Sequence, residues 1–329
     1  MAGCNLRFIL HGFILLDNEQ YRNYKLRMKI YRIYPKILQI GLKSFTILIV
    51  LFAFGCNGTR FVFKGTTDIV TTPDKVGLAY EEVWFTNQDD IKLHAWLVPG
   101  ETHKPMVVFF HGNAANISHR VDILQYFNEM GFPVFIFDYR GFGRSQGHAT
   151  SEEDLYIDAR SALDYLRNKG WSSSQMIYYG RSLGAAVSLQ MGLEFPPSVV
   201  VLEAPFTSMS EIAWHTSPIT YALIGWWAIH ARFDNINKIE KLATPVIIFQ
   251  GDKDHIVPVE MAQRLYQRAR EPKAFYLIPE GGHSNLFKIG GEKYRRIWLK
   301  LANYCPLAKG RKPYFPDPDI QFFSQNMNK

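Results

Sequence analysis

The chain has 329 residues, of which 47% are hydrophobic, 15% aromatic and 20% charged. This composition excludes an intrinsically disordered or collagen-like chain, and the length suits one large domain or two small ones. The three cysteines are too few and too widely spaced for a disulfide framework or a zinc finger.

The net charge of +7 is concentrated at the N-terminus. Residues 1–43 carry eight Lys or Arg against two Asp or Glu, so the other 286 residues are almost neutral, with 29 basic and 28 acidic side chains. Because binding to nucleic acid requires a basic surface, we expect no nucleic-acid partner.

An uncharged apolar segment, SFTILIVLFAFGCNGT, follows at residues 44–59. A basic stretch before about 7–15 apolar residues is typical of a secretory signal. A spanning helix needs about 20 residues, so this segment spans a membrane only if residues 37–42 join it. We expect residues 1–59 to target the chain to a membrane, as a signal or an anchor, with the remainder outside the cytoplasm.

Cys56 lies near the end of this segment, after Ala53-Phe54-Gly55. A small residue before a cysteine resembles a bacterial lipoprotein cleavage site, which makes Cys56 a candidate for lipidation. Phe54 departs from that pattern, and a plain anchor with an incidental cysteine is the alternative. Met28 opens a basic stretch of its own, so the segment starts at Met1 or at Met28.

Short β-type runs then alternate with helical stretches. Residues 80–86 and 91–98 alternate apolar and polar side chains around a polar turn, which predicts an antiparallel hairpin. Continuous apolar runs are typical of strands buried on both faces of a parallel sheet. These runs are residues 106–110, 134–137, 176–179, 199–202, 246–249 and 274–278.

Helical periodicity fills the intervals at residues 116–130, 152–168, 183–193, 258–270 and 285–304, and Ser151 and Asp154 occupy capping-box positions. The alternation predicts a doubly wound, mostly parallel α/β sheet within residues 60–305. Residues 210–242 interrupt it with 33 mostly helical positions, which we interpret as a lid. Residues 306–329, with four prolines, are predicted to be a surface tail.

Gly180-Arg181-Ser182-Leu183-Gly184 follows a predicted strand and opens a predicted helix. This G-x-S-x-G pattern places a nucleophilic serine, Ser182, on a sharp, strained turn whose crowding leaves room only for glycine on both sides. The strand–turn–helix context makes a chance match improbable.

A serine nucleophile needs a base and an acid that orients it, in the chain order Ser, Asp or Glu, His. Asp254 and His283 follow two later strands at the carboxyl edge of the sheet, where α/β folds place their sites. Asp252 and Glu203 are rival acids. His111 precedes a tight turn, and we expect it to shape that loop.

The negative oxygen of an acyl intermediate needs backbone N–H donors. Leu183, at the start of a helix, and Asn113, in the turn after Gly112, are the candidates. The glycines of residues 138–147 do not have dinucleotide-loop spacing, so we interpret that loop as structural. None of the other histidines has metal-ligand spacing, so no metal site is expected.

These motifs jointly resemble α/β-hydrolases from about residue 61 to residue 304, and in particular membrane-anchored serine hydrolases of the α/β-hydrolase-domain and bud-emergence types. The matching stretches are residues 111–120, 138–147, 180–184, 254–258 and 282–283. The resemblance implies an α/β-hydrolase fold, a triad of Ser182, Asp254 and His283, and an N-terminal membrane anchor.

We therefore expect a serine hydrolase, without a cofactor, that cleaves a small-molecule carboxylic ester or thioester. The lid segment holds three of the seven tryptophans, and Trp226 and Trp227 are candidates for an apolar acyl pocket; packing of the lid alone is the other reading. A serine peptidase or amidase uses the same groups, and a non-catalytic binding protein on this scaffold is the alternative from another class.

Overall fold

The computed structural model describes residues 63–222 and 231–302, which lie in the second of the two units of the chain, Asn57–Lys329. Ten strands lie in these residues. They are β1 (Lys64–Gly65), β2 (Glu81–Thr86), β3 (Lys92–Val98), β4 (Met106–Phe110), β5 (Ala114–Ala115), β6 (Val134–Phe137), β7 (Met176–Arg181), β8 (Val199–Glu203), β9 (Val246–Gly251) and β10 (Lys273–Ile278).

Nine α-helices accompany them in the same part of the chain. They are α1 (Val121–Glu129), α2 (Glu152–Asn168), α3 (Leu183–Glu194), α4 (Met209–Thr216), α5 (Pro218–Thr220), α6 (Asn235–Ile239), α7 (Val259–Arg268), α8 (Leu286–Ile289) and α9 (Gly291–Ala302). Three 3₁₀ turns lie at Pro73–Val76, Ile117–Arg120 and Ser173–Gln175.

Eight strands form one sheet in the order β10-β9-β8-β7-β4-β6-β3-β2. The six strands from β10 to β6 are parallel, whereas β3 runs antiparallel to both β6 and β2. This is the predicted α/β-hydrolase arrangement, a mostly parallel sheet whose edge is an antiparallel hairpin. Helices cover both faces because the central strands are apolar at every position.

The two faces of the sheet have separate aromatic cores. On one face Phe109 stacks on Tyr179, and Trp298 of α9 meets Tyr179 edge-on at 5.3 Å. On the other face Phe110 packs edge-on against Phe137 and Tyr178. Neighbouring residues of β4 thus anchor opposite layers, which fixes the register and the position of the strand end where the loop 111–120 begins.

The helix boundaries follow local chemistry. α2 starts at the predicted capping box, where Ser151 N–H donates to Asp154 Oδ2 at 2.9 Å and Asp154 N–H to Ser151 Oγ at 3.2 Å. The helix predicted at 116–130 begins instead as a 3₁₀ turn. The helix predicted at 285–304 is divided, because Gly291 adopts a positive φ of 48° that interrupts the helical hydrogen bonds.

The described residues include no helix that is long and apolar enough to cross a membrane. The predicted targeting segment 1–59, with Cys56, lies outside the described residues, as do the tail 306–329, Trp226 and Trp227. The domain boundaries at 60 and 305 and the role of each of these residues stay predictions.

Candidate active site

Ser182 lies between β7 and α3 with φ 54° and ψ −115°, a conformation that is strained for any residue but glycine. Strain of this kind persists only where the surrounding packing enforces it, and it clusters at functional sites. The backbone thus makes the sharp turn that the G-x-S-x-G pattern predicts.

The flanking glycines are required by space. A Cβ atom at Gly180 would overlap Gly184 O and Ser188 Oγ, and a Cβ atom at Gly184 would overlap the carbonyl oxygen of Phe110. The start of α3 therefore lies directly on the end of β4. This contact ties the serine turn to the loop that follows β4.

Asp254 and His283 meet at the carboxyl edge of the sheet, in the loops after β9 and β10. His283 Nδ1–H donates to Asp254 Oδ2 at 2.8 Å; Asp254 is buried and His283 is half-buried. The carboxylate fixes the proton of the neutral imidazole on Nδ1, which leaves Nε2 as a proton acceptor.

Further donors hold Asp254. Its Oδ1 accepts from the N–H groups of Ile256 and Val257, each at 2.9 Å, and Gln250 Nε2 donates to Oδ2 at 3.2 Å. Burial alone would raise the pKa of Asp254, but the hydrogen bond from His283, the positive charge of that ring when it is protonated, and the two backbone donors lower it below its ordinary value. The group is therefore a carboxylate at neutral pH.

The rival acids have other partners. Asp252 is exposed, and its Oδ1 accepts from Glu280 N–H at 2.7 Å, which makes it a turn residue between two loops. Glu203 is buried, and its Oε1 lies 2.7 Å from Arg181 Nε. Neither bond involves His283, whose carboxylate partner among the described residues is Asp254.

The loop after β4, residues 111–120, which we call the oxyanion loop, lies against the serine turn. A Cβ atom at Gly112 would lie 3.6 Å from Ser182 Cβ. Leu183 is the first residue of α3, where the backbone N–H has no acceptor within the helix. The donation of the Asn113 and Leu183 N–H groups to a substrate oxygen stays a prediction.

His111 has the loop-shaping bond that its sequence position predicts. It is fully buried, and its Nδ1–H donates to Gly112 O at 2.8 Å, while its Nε2 lies 3.6 Å from Asp138 Oδ1. Burial lowers the pKa of His111 to about 4. The negative charge of Asp138 partly opposes this shift, and the positive charge of Arg120 adds to it. His111 is therefore neutral at pH 7.

Sequence reasoning missed the polar cluster beneath the serine turn. Besides its ion pair with Arg181, Glu203 accepts hydrogen bonds from the hydroxyls of Tyr179 and Tyr294, at 2.8 and 2.7 Å. A usable signal was present, because Arg181 and Glu203 end two neighbouring apolar runs. In the parallel pairing of β7 and β8 these two residues lie opposite each other.

The loop 138–147 is closed on itself. A Cβ atom at Gly143 would overlap Asp138 Oδ2, and Asp138 Oδ1 accepts from Ile117 N–H at 2.9 Å. Gly143 therefore allows the loop to approach its own carboxylate, Asp138. Among the described residues no group of three or more His, Cys, Asp or Glu could hold a metal ion.

The described part of the lid segment contacts α7, the helix that follows the loop of the candidate acid. Glu211 of α4 forms a two-point ion pair with Arg264 of α7, at 2.7 and 3.1 Å, and α7 directly follows the Asp254 loop. Trp214 and Ile219 are 56% and 76% exposed. The segment thus combines a surface ion pair to α7 with exposed apolar side chains.

Comparison with known families gives a consistent picture. Residues 101–233 match the family model described as serine aminopeptidase, S33. The chain is 31% identical over 255 residues to the α/β-hydrolase domain-containing protein WAV2 of Arabidopsis thaliana, covering 71% of this chain and 82% of that protein. It is also 31% identical over 232 residues to protein bem46 of Schizosaccharomyces pombe, covering 68% and 77% of the two chains.

Solved structures show the same architecture. The esterase Pf2001 of Pyrococcus furiosus superposes with a TM-score of 0.62, covering 74% of this chain and 97% of that one. The esterase EaEST of Exiguobacterium antarcticum does so with a TM-score of 0.55. Identities of 18% and 16% mean that these two likenesses concern the fold.

Proposed function

The chain belongs to the α/β-hydrolase superfamily, among the proteins of bem46 type, and is a hydrolase; on that premise we propose that it is a serine hydrolase that cleaves a carboxylic ester or thioester. The observation that carries the proposal is the 2.8 Å hydrogen bond from His283 to Asp254. It occurs at the same sheet edge as the strained turn of Ser182.

The proposed reaction has two halves. Ser182 Oγ attacks the acyl carbonyl while His283 Nε2 takes the hydroxyl proton, and the N–H groups of Asn113 and Leu183 bind the oxyanion. The imidazolium, stabilised by Asp254, then protonates the leaving alcohol or thiol. Water, deprotonated by His283, attacks the acyl-enzyme. Collapse of the resulting tetrahedral intermediate breaks the bond between the acyl carbon and Ser182 Oγ, the carboxylic acid leaves, and the His283 imidazolium returns the proton to Ser182 Oγ.

An amide substrate is the second candidate. The matched family model is described as a serine aminopeptidase, and the same groups cleave amides. Initial rates on a p-nitrophenyl ester, an acyl thioester and an aminoacyl p-nitroanilide would rank the classes. A preference for the anilide would identify the protein as an amidase or peptidase instead of an esterase. Hydrolysis of none of the three substrates would favour a non-catalytic binding protein.

Labelling of the purified chain with a fluorophosphonate probe is the most direct test of the serine. We expect one adduct, on Ser182, that is lost in Ser182→Ala, while Ser188→Ala in the next helix serves as the matched control and keeps the label. An adduct on another residue, or none, would contradict the assignment.

We further propose that residues 1–59 attach the protein to a membrane, with the hydrolase domain on the extracytoplasmic side. The support is the charge asymmetry and the apolar run at 44–59. Alkaline carbonate extraction of membranes would test the attachment, and radiolabelled fatty-acid incorporation into the wild type and Cys56→Ser would test lipidation. Recovery of both proteins in the wash would contradict attachment.

The substrate pocket is proposed to be apolar, with Trp226 and Trp227 in its wall. The support is the concentration of aromatic residues in 210–242 and the exposed apolar side chains of Trp214 and Ile219. Each buried methylene contributes about 0.8 kcal/mol, close to fourfold in kcat/KM. Medium-chain p-nitrophenyl esters should therefore exceed acetate, and Trp226→Ala or Trp227→Ala should flatten the profile; an unaltered profile would leave the two side chains as packing.

A further inference from the structure

Residues 63–70, which we call the strap, run along the oxyanion loop. Strand β1 pairs in parallel with β5 of that loop, with Lys64 opposite Ala114 and Gly65 opposite Ala115. Lys64 N–H donates to Asn113 Oδ1 at 3.0 Å. The side chain of the predicted oxyanion donor is therefore bound to a segment that lies nearly 50 residues earlier in the chain.

Asn116 joins the strap to the loop. The side chain is fully buried, and its Nδ2 donates to Thr66 O at 2.9 Å and to Asp68 O at 2.7 Å. Its Oδ1 accepts from Ser118 N–H at 2.9 Å, and Ser118 Oγ accepts from Val70 N–H at 3.0 Å. The side-chain amide of Asn116 thus forms hydrogen bonds with backbone groups of both the strap and the oxyanion loop.

The other side of the strap is held by the loop 138–147. Thr66 O also accepts from Gly143 N–H at 2.8 Å. A Cβ atom at Gly65 would lie 2.6 Å from the Phe142 ring and 2.8 Å from Gly141 O, so a larger residue there would displace the strap or this loop. The strap is wedged between two loops and has little freedom to move by itself.

The oxyanion loop needs such support because its backbone is strained. Ala115 adopts φ 62°, a left-handed conformation that L residues other than glycine, Asn and Asp rarely adopt. Surrounding contacts must hold such a conformation, and the contacts here are the pairing with Gly65 and the bond from Thr66 N–H to Ala115 O at 3.3 Å. The peptide of Asn113 lies two residues away.

We propose that the strap, which Asn116 joins to the oxyanion loop, is the positioning element of that loop and that it aims the Asn113 N–H at the acyl oxygen. The proposal rests on the proposed serine hydrolase. It concerns the transition state, because an oxyanion exists only after attack on the carbonyl. Loss of the strap contacts should therefore lower kcat and leave KM nearly unchanged.

Two substitutions in the full chain test it. Gly65→Ala pushes the strap against Phe142, and Lys64→Pro, at an exposed position, removes the N–H that binds Asn113 Oδ1. The matched control is Gly100→Ala. Its Cβ atom would overlap Pro133 N, which directly precedes β6 and so lies at the amino ends of the parallel strands, away from the candidate site. For each protein, kcat and KM for a p-nitrophenyl ester, the pH–rate profile and the melting temperature are measured.

We expect Gly65→Ala to lower kcat by on the order of 10²-fold, the effect of misplacing or losing one oxyanion donor. Lys64→Pro should lower it by about tenfold. In both variants KM should stay within about twofold and the midpoint of the pH–rate profile should not move, since His283 and Asp254 are untouched. Gly100→Ala should lose thermal stability with kcat retained.

Wild-type kcat in both strap variants would overturn the proposal, and so would an equal fall of kcat in Gly100→Ala, which would reveal general destabilisation. If Gly65→Ala fails to fold, Lys64→Pro decides by itself. A wild-type chain that neither hydrolyses the ester nor takes the fluorophosphonate label would instead refute the serine hydrolase, and the strap proposal with it.

Discussion

Arg181 and Glu203 lie opposite each other at the ends of the neighbouring parallel strands β7 and β8, and their side chains form a buried ion pair of 2.7 Å. The carbonyl oxygen of the same glutamate accepts the N–H of Ser182 at 2.9 Å. Glu203 therefore fixes the serine turn through both its main chain and its side chain.

Replacing Glu203 by leucine should lower the free energy of unfolding by about 3–5 kcal/mol, because the substitution leaves the Arg181 guanidinium buried without its anion. The double substitution Arg181→Met/Glu203→Leu should recover part of this loss, since it removes both charges but leaves the hydroxyls of Tyr179 and Tyr294 without their acceptor. Urea denaturation of Glu203→Leu, Arg181→Met and the double variant measures the coupling between the two side chains. Single variants within about 0.5 kcal/mol of the wild type would show that the pair contributes little.

Removing the nucleophile should separate activity from stability. Ser182→Ala should lower kcat by on the order of 10⁶-fold, as loss of a serine nucleophile does in enzymes of this chemistry. Ser182→Gly should be equally inactive but more stable than Ser182→Ala by about 1 kcal/mol, because only glycine adopts this backbone conformation without strain. Steady-state assays and thermal melts test both statements. A kcat equal to that of the wild type in either variant would contradict the mechanism.

The two aspartates of the β9 loop should differ sharply. Asp254→Asn disturbs the tautomer of His283 and should lower kcat by roughly 10⁴-fold, as a comparable change does in serine proteases. Asp252→Asn changes only the turn bond to Glu280 N–H and should keep kcat within about threefold. The values of kcat for the two purified isosteric variants test this prediction. A larger loss of kcat in Asp252→Asn than in Asp254→Asn would identify Asp252 as the acid.

His111 should make the fold sensitive to acid. Its pKa is about 4 in the folded chain against an ordinary 6.5, so between these pH values the unfolded chain binds a proton that the folded chain does not. Stability therefore falls as pH drops through this window, by about 3 kcal/mol in total from this group.

The variant His111→Asn isolates that contribution, because its amide keeps a donor for Gly112 O and does not titrate. From pH 7.5 to pH 4 the free energy of unfolding should decline less steeply with falling pH for the variant than for the wild type. The difference in slope should correspond to close to one proton fewer bound on unfolding. Parallel curves for the two proteins would show that another group causes the acid sensitivity. A comparison at pH 7.5 gives the baseline cost of the substitution.

The central architecture was predictable because its signals are local. The strands at 106–110 and 134–137 are unbroken apolar runs, and the helix at 152–168 has both a periodic pattern and a capping box. The bounds of all three are confirmed. Strands β7 and β8 extend two residues and one residue beyond their apolar runs, since Arg181 and Glu203 continue them as a charge pair.

The strap was not predictable in this way. Strands β1 and β5 have two residues each, too few for any periodicity, and their pairing depends on the side chains of Asn113 and Asn116. The pair of Asp254 and His283 was predictable as candidates from motif and order. Their hydrogen bond depends on the positions of β9 and β10 in the sheet, which only the three-dimensional structure gives.

The position of His283 has a consequence for how the protein fails under stress. The histidine follows β10, which ends the sheet and pairs with β9 alone among the described strands, whereas Ser182 follows β7 near the centre. Edge elements open at a lower free-energy cost than central ones. At low denaturant concentration the segment that carries His283 should therefore unfold locally while the turn of Ser182 stays intact. Activity should be lost at a lower denaturant concentration than the global fold.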